Sequence, residues 1–346
     1  MPIEPQRSWR LEIAAYLFLG GVGAGWAVAA AAMGWAGYGL PIQAGPTPLD
    51  VHLIAFCALG GPVVTAVGAL LLVFHLGRNW RLAFTAGRNA RTSWLARGFW
   101  VLSGFIAVGC ARLAIAAFAP AWADGHAAAW RALELAVVSL AAGTTVYTGL
   151  LLRSMQYISA WQPWTLTALF VATALSGGTA ALVLAAAAAA RVGAVDQTAA
   201  ELAEAAGRLD IVLLIIEGVL LAAYLATLLR GGPSRAASAR LLLRGAWWPG
   251  FWVAVVGIGL VVPLLIDLVA RADGWSALAG AALVVLTGGF TLRLAVLAVG
   301  SKDDPPLLRL SEWRAAASGP LAAGAVGTLP DAGAKAVAAV ATRAGT

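Results

Sequence analysis

Eight apolar stretches, each longer than 20 residues, run through this chain and constrain its fold before any motif is considered. A helix needs about 20 mostly apolar residues to cross roughly 30 Å of hydrocarbon, and inside that layer every backbone N–H and C=O has to be paired within the protein. The stretches fall at about 12–36, 51–76, 97–120, 132–153, 165–190, 209–230, 248–270 and 275–300. They predict an all-α polytopic membrane protein with eight transmembrane helices spanning 1–300. Their continuity excludes the short alternating strands of an outer-membrane barrel. Composition agrees, since 61% of the 346 residues are apolar and 11% are charged, more apolar surface than a water-soluble core of this length can bury. The run that follows Arg7 and Arg10 outlasts a signal-peptide core and is read as the first helix.

The basic residues set an expected orientation. Seventeen of the 23 Lys and Arg lie at the ends shared with the amino terminus, four (Arg131, Arg191, Arg208, Arg271) at the other ends, and Arg112 and Arg293 inside helices. The positive-inside rule then places both termini in the cytoplasm of a bacterium, with the protein in its cytoplasmic (inner) membrane. The net charge of +7 is thus a topology signal. It is not read as nucleic-acid binding, because the basic residues line loops at the membrane and form no recognition motif. Residues 301–346 turn to Ala, Gly and Pro and are expected to form a mobile cytoplasmic tail. The segment from Arg191 to Asp210 reads as a short amphipathic helix on the outer surface. An echo between RTSWLARGFWVLSGFIAVG and RLLLRGAWWPGFWVAVVGIG is compatible with two four-helix bundles, although shared interfacial grammar produces the same look.

Redox chemistry has few candidates. Cys57 and Cys110 each stand alone in an apolar helix, so the chain offers no ligands for an iron-sulfur cluster and no CxxCH haem attachment. His52, His75 and His126 are too dispersed to supply paired axial ligands, so neither haem nor another metal is expected in this chain. The GGVGAG run from Gly20 to Gly25 has no preceding strand and reads as small residues for close helix contact.

Ionisable residues within the hydrocarbon carry the positive signal, because each is costly unless paired or wetted. Glu12 and Tyr16 are spaced i, i+4 at the start of helix one. Tyr147 lies six residues before Arg153, at a comparable depth, and His75 closes helix two on the same side. These four proton-active groups share a level, where interfacial anchoring is the plain alternative. Arg112 and Glu134 lie toward the opposite end of adjacent helices and are expected to pair. With Glu217 and Asp267 they are also candidates for a broken proton route. Arg293 is expected to snorkel or to balance an acid.

Several segments together resemble the NrfD-like family, to which the membrane subunit of polysulfide reductase belongs: WRLEIAAYLFLGGVGAG from Trp9, HLGR from His75, RTSWLARGFW from Arg91, TTVYTG from Thr144 and GLVVPLL from Gly259. The resemblance implies an eight-helix, cofactor-free anchor that reacts with quinone or quinol (ubiquinone or menaquinone). It also implies an iron-sulfur electron-transfer subunit as partner, often with a molybdopterin catalytic subunit. The quinone head in such proteins is held from the start of helix one and the end of helix four, which maps here onto Tyr16, with Glu12 nearby, and Tyr147. Family members occur in either membrane orientation, so the partner side follows from the charge count: an iron-sulfur subunit is expected on the cytoplasmic face formed by Arg78, Arg81, Arg88, Arg91 and Arg97. Pro62 and Pro263 inside helices and the intramembrane charges keep a secondary transporter as the alternative, beside a purely structural anchor.

Overall fold

The computed structural model describes residues 11–76, 94–155, 157–269 and 275–300, without the side chains at 44, 74–76, 94–95, 194, 269 and 275–277. Among these residues every regular element is helical. In sequence order they are α1 (Leu11–Trp35), α2 (Pro48–Leu59), α3 (Gly61–Leu76), α4 (Trp94–Phe118), the short α5 (Pro120–Gly125), α6 (Ala127–Arg153), α7 (Trp164–Ala189), α8 (Asp196–Leu229) and α9 (Pro233–Leu243). A π-helical run, Gly250–Val261, continues as α10 (Val262–Val269), and α11 is Trp275–Ala298. Seven spans are long and apolar enough to cross a membrane alone, and α2 with α3 makes an eighth.

The second expected helix is divided. Its two halves, α2 and α3, meet at an angle of 72°, at the sequence Gly60-Gly61-Pro62. Pro62 brings no N–H and its ring crowds the carbonyl four residues back, so the helix has to restart there. The halves of the break are anchored: a Cβ on Gly23 of α1 would run into the Gly61 carbonyl and Thr65, and a Cβ on Gly109 of α4 into the Pro62 ring. The same GGVGAG run meets α7, where a Cβ on Gly25 would overlap the Ala174 carbonyl. Small residues here let backbones touch, as expected of helix packing in lipid.

The sixth span departs from expectation at its start. The segment read as a surface helix is the amino-terminal part of α8, a continuous 34-residue helix that reaches about 51 Å at 1.5 Å per residue. Ala199, Leu202, Ala203, Ala205 and Ala206 bury one face of that extension, and with the Ala-rich end of α7 they join a single apolar cluster. A stripe of small residues let the two helices close on each other, which the polar opposite face concealed.

The most enclosed spans are α1 and α7, while α4 and the π-helical segment are mostly turned outward. At the end where α1 begins, Trp161 is fully buried and donates its indole N–H to the Val296 carbonyl at 3.0 Å. Tyr224 donates to the Ala160 carbonyl at 3.1 Å. These bonds tie the α6–α7 connection to α8 and α11 and hold the bundle end against which the tyrosines lie. Residues 301–346, expected to form the tail, lie outside the described residues.

Candidate functional site

Tyr16 on α1 and Tyr147 on α6 are buried, 3% and 6% exposed, and their phenols lie within hydrogen-bonding reach of each other. Helices α1 and α6 run antiparallel, which is why residues 131 positions apart reach one level. A third helix completes the arrangement. Gly98 of α4 faces the Tyr147 ring so closely that a Cβ at this position would overlap it, so this glycine fixes where the ring can lie. Thr144, Thr145 and Thr148 flank Tyr147, but each hydroxyl donates to a carbonyl of its own helix, at 2.9, 2.8 and 2.8 Å. They are therefore spent locally, and the Tyr147 phenol is the side-chain donor left at this level of α6 among the described residues. Two phenols that bond to each other use one O–H proton and leave the other for a third group.

Glu12 is exposed in the first turn of α1, one turn beyond Tyr16. Arg97 is exposed beside Gly98. His75 ends α3, but its side chain is outside the described set, and Arg78, Arg81, Arg88 and Arg91 lie outside the described residues altogether. The structure thus brings Tyr16 and Tyr147 together and places Glu12 at the rim above them.

A second polar group runs through the bundle interior. Asp210, Glu217 and Tyr224 are spaced by seven on α8, which keeps them on one face over about four turns. Asp210 is 5% exposed and accepts a hydrogen bond from Ser176 of α7 at 2.7 Å. Glu217 is 8% and Asp267 of α10 is 6% exposed. Asp210 interacts electrostatically with Asp267, and Glu217 with both Asp210 and Arg293. Arg293 of α11 does not snorkel: it has no exposed surface, and its Nη1 donates to the Gly289 carbonyl at 2.9 Å. Its guanidinium stands 5.5 and 5.4 Å from the ring centres of Phe18 and Phe170, and Gly21 of α1 leaves room for Nη2. Its Nε and Nη2 have no hydrogen-bond partner among the described residues. Asp210 is the residue that sequence reasoning missed, because the helix carrying it was placed on the surface. Its seven-residue spacing from Glu217 was the available signal.

Arg112 and Glu134 form the expected ion pair between α4 and α6, at 3.5 Å, with Arg112 4.6 Å from the Trp130 ring centre. Arg112 is 14 residues beyond Gly98 on α4, about 21 Å further along the axis, so this pair belongs to the opposite end of the bundle. The four residues considered for a proton route therefore divide: Glu217 and Asp267 join the buried acid cluster, and Arg112 and Glu134 form a pair of their own. Among the described residues no three His, Cys, Asp or Glu side chains converge as a metal site.

A tyrosine pair at one end, buried acids with an arginine at the centre and a multi-pass bundle around them can be compared with known proteins. Protein NrfD of Escherichia coli K12 is 28% identical over 310 residues, covering 84% of this chain and 94% of its own length. The C component of polysulfide reductase from Wolinella succinogenes is 28% identical over 313 residues, with the same two coverages. The family model described as "Polysulphide reductase, NrfD" matches residues 3–302, nearly all of the helical unit, and the chain therefore belongs to the NrfD polysulphide reductase family.

Proposed function

We propose that this protein is the quinone-reactive membrane subunit of a multisubunit oxidoreductase, with the head group of a ubiquinone or menaquinone held at Tyr16 and Tyr147. The observation that carries this reading is the buried phenol pair, within hydrogen-bonding reach across α1 and α6 and backed by Gly98. A quinone requires hydrogen-bond donors at its carbonyl oxygens, and the pair fits that requirement, since two phenols that bond to each other use one O–H proton and have a second to donate. Gly98 supports the fit by letting the Tyr147 ring press against bare backbone. When bound, the quinone supplies two-electron, two-proton redox chemistry that no side chain here can perform.

The residues' own part is to orient and to move protons. Tyr16 and Tyr147 would hold a quinone oxygen by O–H donation and would switch hydrogen-bond partners as protons pass through the pair. Glu12 at the rim, with His75 on the same side, relays protons to water. The electrons come from, or go to, an iron-sulfur subunit docked on the arginine-rich face of Arg78, Arg81, Arg88, Arg91 and Arg97, which in turn serves a molybdopterin catalytic subunit. The excess of basic residues at this end supports a cytoplasmic position for that face and for both termini in the inner membrane. Glu217 and Asp267, now with Asp210, form the interior part of a proton route, and Arg112 and Glu134 its opposite end.

The reading is tested on the complex extracted in mild detergent. An iron-sulfur subunit is expected to copurify, and adding quinol or quinone should change the redox state of its clusters within turnover time. Clusters that respond to an artificial donor but never to quinone would contradict it. The 72° break in the second span also favours a second reading, a secondary transporter, because discontinuous helices build transporter sites. Counterflow uptake by the protein alone in liposomes would select that reading.

A further inference from the structure

A cavity of about 220 Å³ opens at the bend in the second span, at the end of the bundle opposite the tyrosine pair. Ala58, Leu59 and Pro62 of the bend face Arg112, Trp130 and Glu134 across it. A second cavity of about 300 Å³ shares Leu40, Ile42 and Trp130 with the first. That outer cavity lies where the α1–α2 connection meets α5, and exposed Gln43 donates to Asp124 at 3.0 Å there. The two cavities thus follow one line from the bundle end to the break in the helix.

The walls carry polar groups that the protein leaves open. Arg112 Nε is buried and has no hydrogen-bond partner among the described residues. Pro62, which has no N–H of its own, interrupts the helical hydrogen-bond ladder where α2 and α3 line the cavity. The Arg112–Glu134 contact, at 3.5 Å, is too long for a strong charge-assisted hydrogen bond. Irregular backbone at membrane depth is tolerated where it is enclosed by protein or lines a water-filled space. The unpartnered Arg112 Nε and the loose Arg112–Glu134 pair sum to no net charge, which suits a cluster of waters rather than an ion or a lipid phosphate. At about 30 Å³ per water the inner cavity takes roughly seven.

We propose that the break in the second span builds a water-filled vestibule that brings solvent from this bundle end to the Arg112–Glu134 pair. The close contacts of Gly23 with Gly61 and of Gly109 with Pro62 hold the bend open. Solvent then reaches the Arg112–Glu134 pair from one face while the tyrosines lie toward the other. The vestibule stands whether or not the tyrosine pair binds quinone.

Single cysteines test it in the full-length protein, in sealed membrane vesicles of each orientation, with the native Cys57 and Cys110 replaced by Ala. Ala58→Cys faces the cavity; Phe56→Cys, half a turn away on α2, replaces a side chain that is 39% exposed on the bundle's outer surface. With a small membrane-impermeant methanethiosulfonate, Ala58→Cys should react at least tenfold faster than Phe56→Cys, and only from the side on which α1 ends. Equal rates, or faster reaction of Phe56→Cys, would overturn the proposal. Hydroxyl-radical footprinting of the unsubstituted protein gives an independent readout. Leu59 and Pro62 should be oxidised and the fully buried Leu169 and Phe170 spared; equal protection of all four would also overturn it.

Discussion

The tyrosine pair and the acids of α8 are both polar islands in an apolar bundle, and they are held in opposite ways. Tyr16 and Tyr147 are buried phenols within hydrogen-bonding reach of each other near a bundle end. Asp210, Glu217, Asp267 and Arg293 are ionisable, lie on three helices of the interior and leave two guanidinium nitrogens without a partner among the described residues. A neutral pair costs little to bury once bonded, whereas a charge at the bilayer centre costs about 3 kcal/mol on insertion scales unless compensated. The first arrangement can give up its internal bond to a ligand cheaply. The second is rigidly interdependent, and removing one member exposes the rest.

The largest effect should therefore come from splitting the charged cluster. Glu217→Ala removes the acid whose charge balances Arg293, and the expected loss is about 3 kcal/mol, the cost of an uncompensated charge in the bilayer, seen as poor accumulation and a lowered Tm. Glu217→Ala combined with Arg293→Met should recover much of that loss. If the double variant is as damaged as the sum of the singles, Arg293 and Glu217 are not coupled. Gly98→Ala comes next and probes the tyrosine pair. Its Cβ displaces the Tyr147 ring, for about 1–3 kcal/mol of overpacking, yet quinone-linked turnover should fall at least tenfold while the bundle still assembles. Turnover that follows the fall in stability alone would show that the ring position does not matter to the reaction.

Arg112→Met is expected to lose about 2 kcal/mol because it strands Glu134, with partial recovery when Glu134→Gln is added. Both side chains keep some exposure, 11% and 18%, which places this pair between the two extremes. The smallest effect is Ser176→Ala. It removes one hydrogen bond to Asp210, for about 1–2 kcal/mol, and thermal melts should separate it from Glu217→Ala.

These differences also mark what could be read from residues alone. Continuous apolar runs made the spans legible, and the paired depths of Arg112 and Glu134 on consecutive antiparallel helices made their contact legible. Tyr16 and Tyr147 could be assigned one level from helical rise, but rise gives depth and not the angle at which side chains face, so their approach to each other needed coordinates. Pro62 was visible inside the second apolar run, but the 72° bend was not, since it depends on Gly23 and Gly109 accepting the displaced backbone. Asp210 was lost to a polar stripe that resembled a surface helix, because the alanines opposite it bury through contact with α7 and carry little hydrophobic signal of their own.

Whether the phenol pair binds the quinone head group is decided by Tyr16→Phe and Tyr147→Phe in the intact complex, with quinone-linked turnover and quinone-site inhibitor binding measured beside donor oxidation by an artificial acceptor. Phe keeps the rings and removes only the O–H groups. At least a tenfold loss of quinone-linked turnover and weakened inhibitor binding are therefore expected, with artificial-acceptor activity unchanged. Unchanged quinone-linked turnover and inhibitor binding in both variants would refute the site and leave the tyrosines as packing residues between α1 and α6.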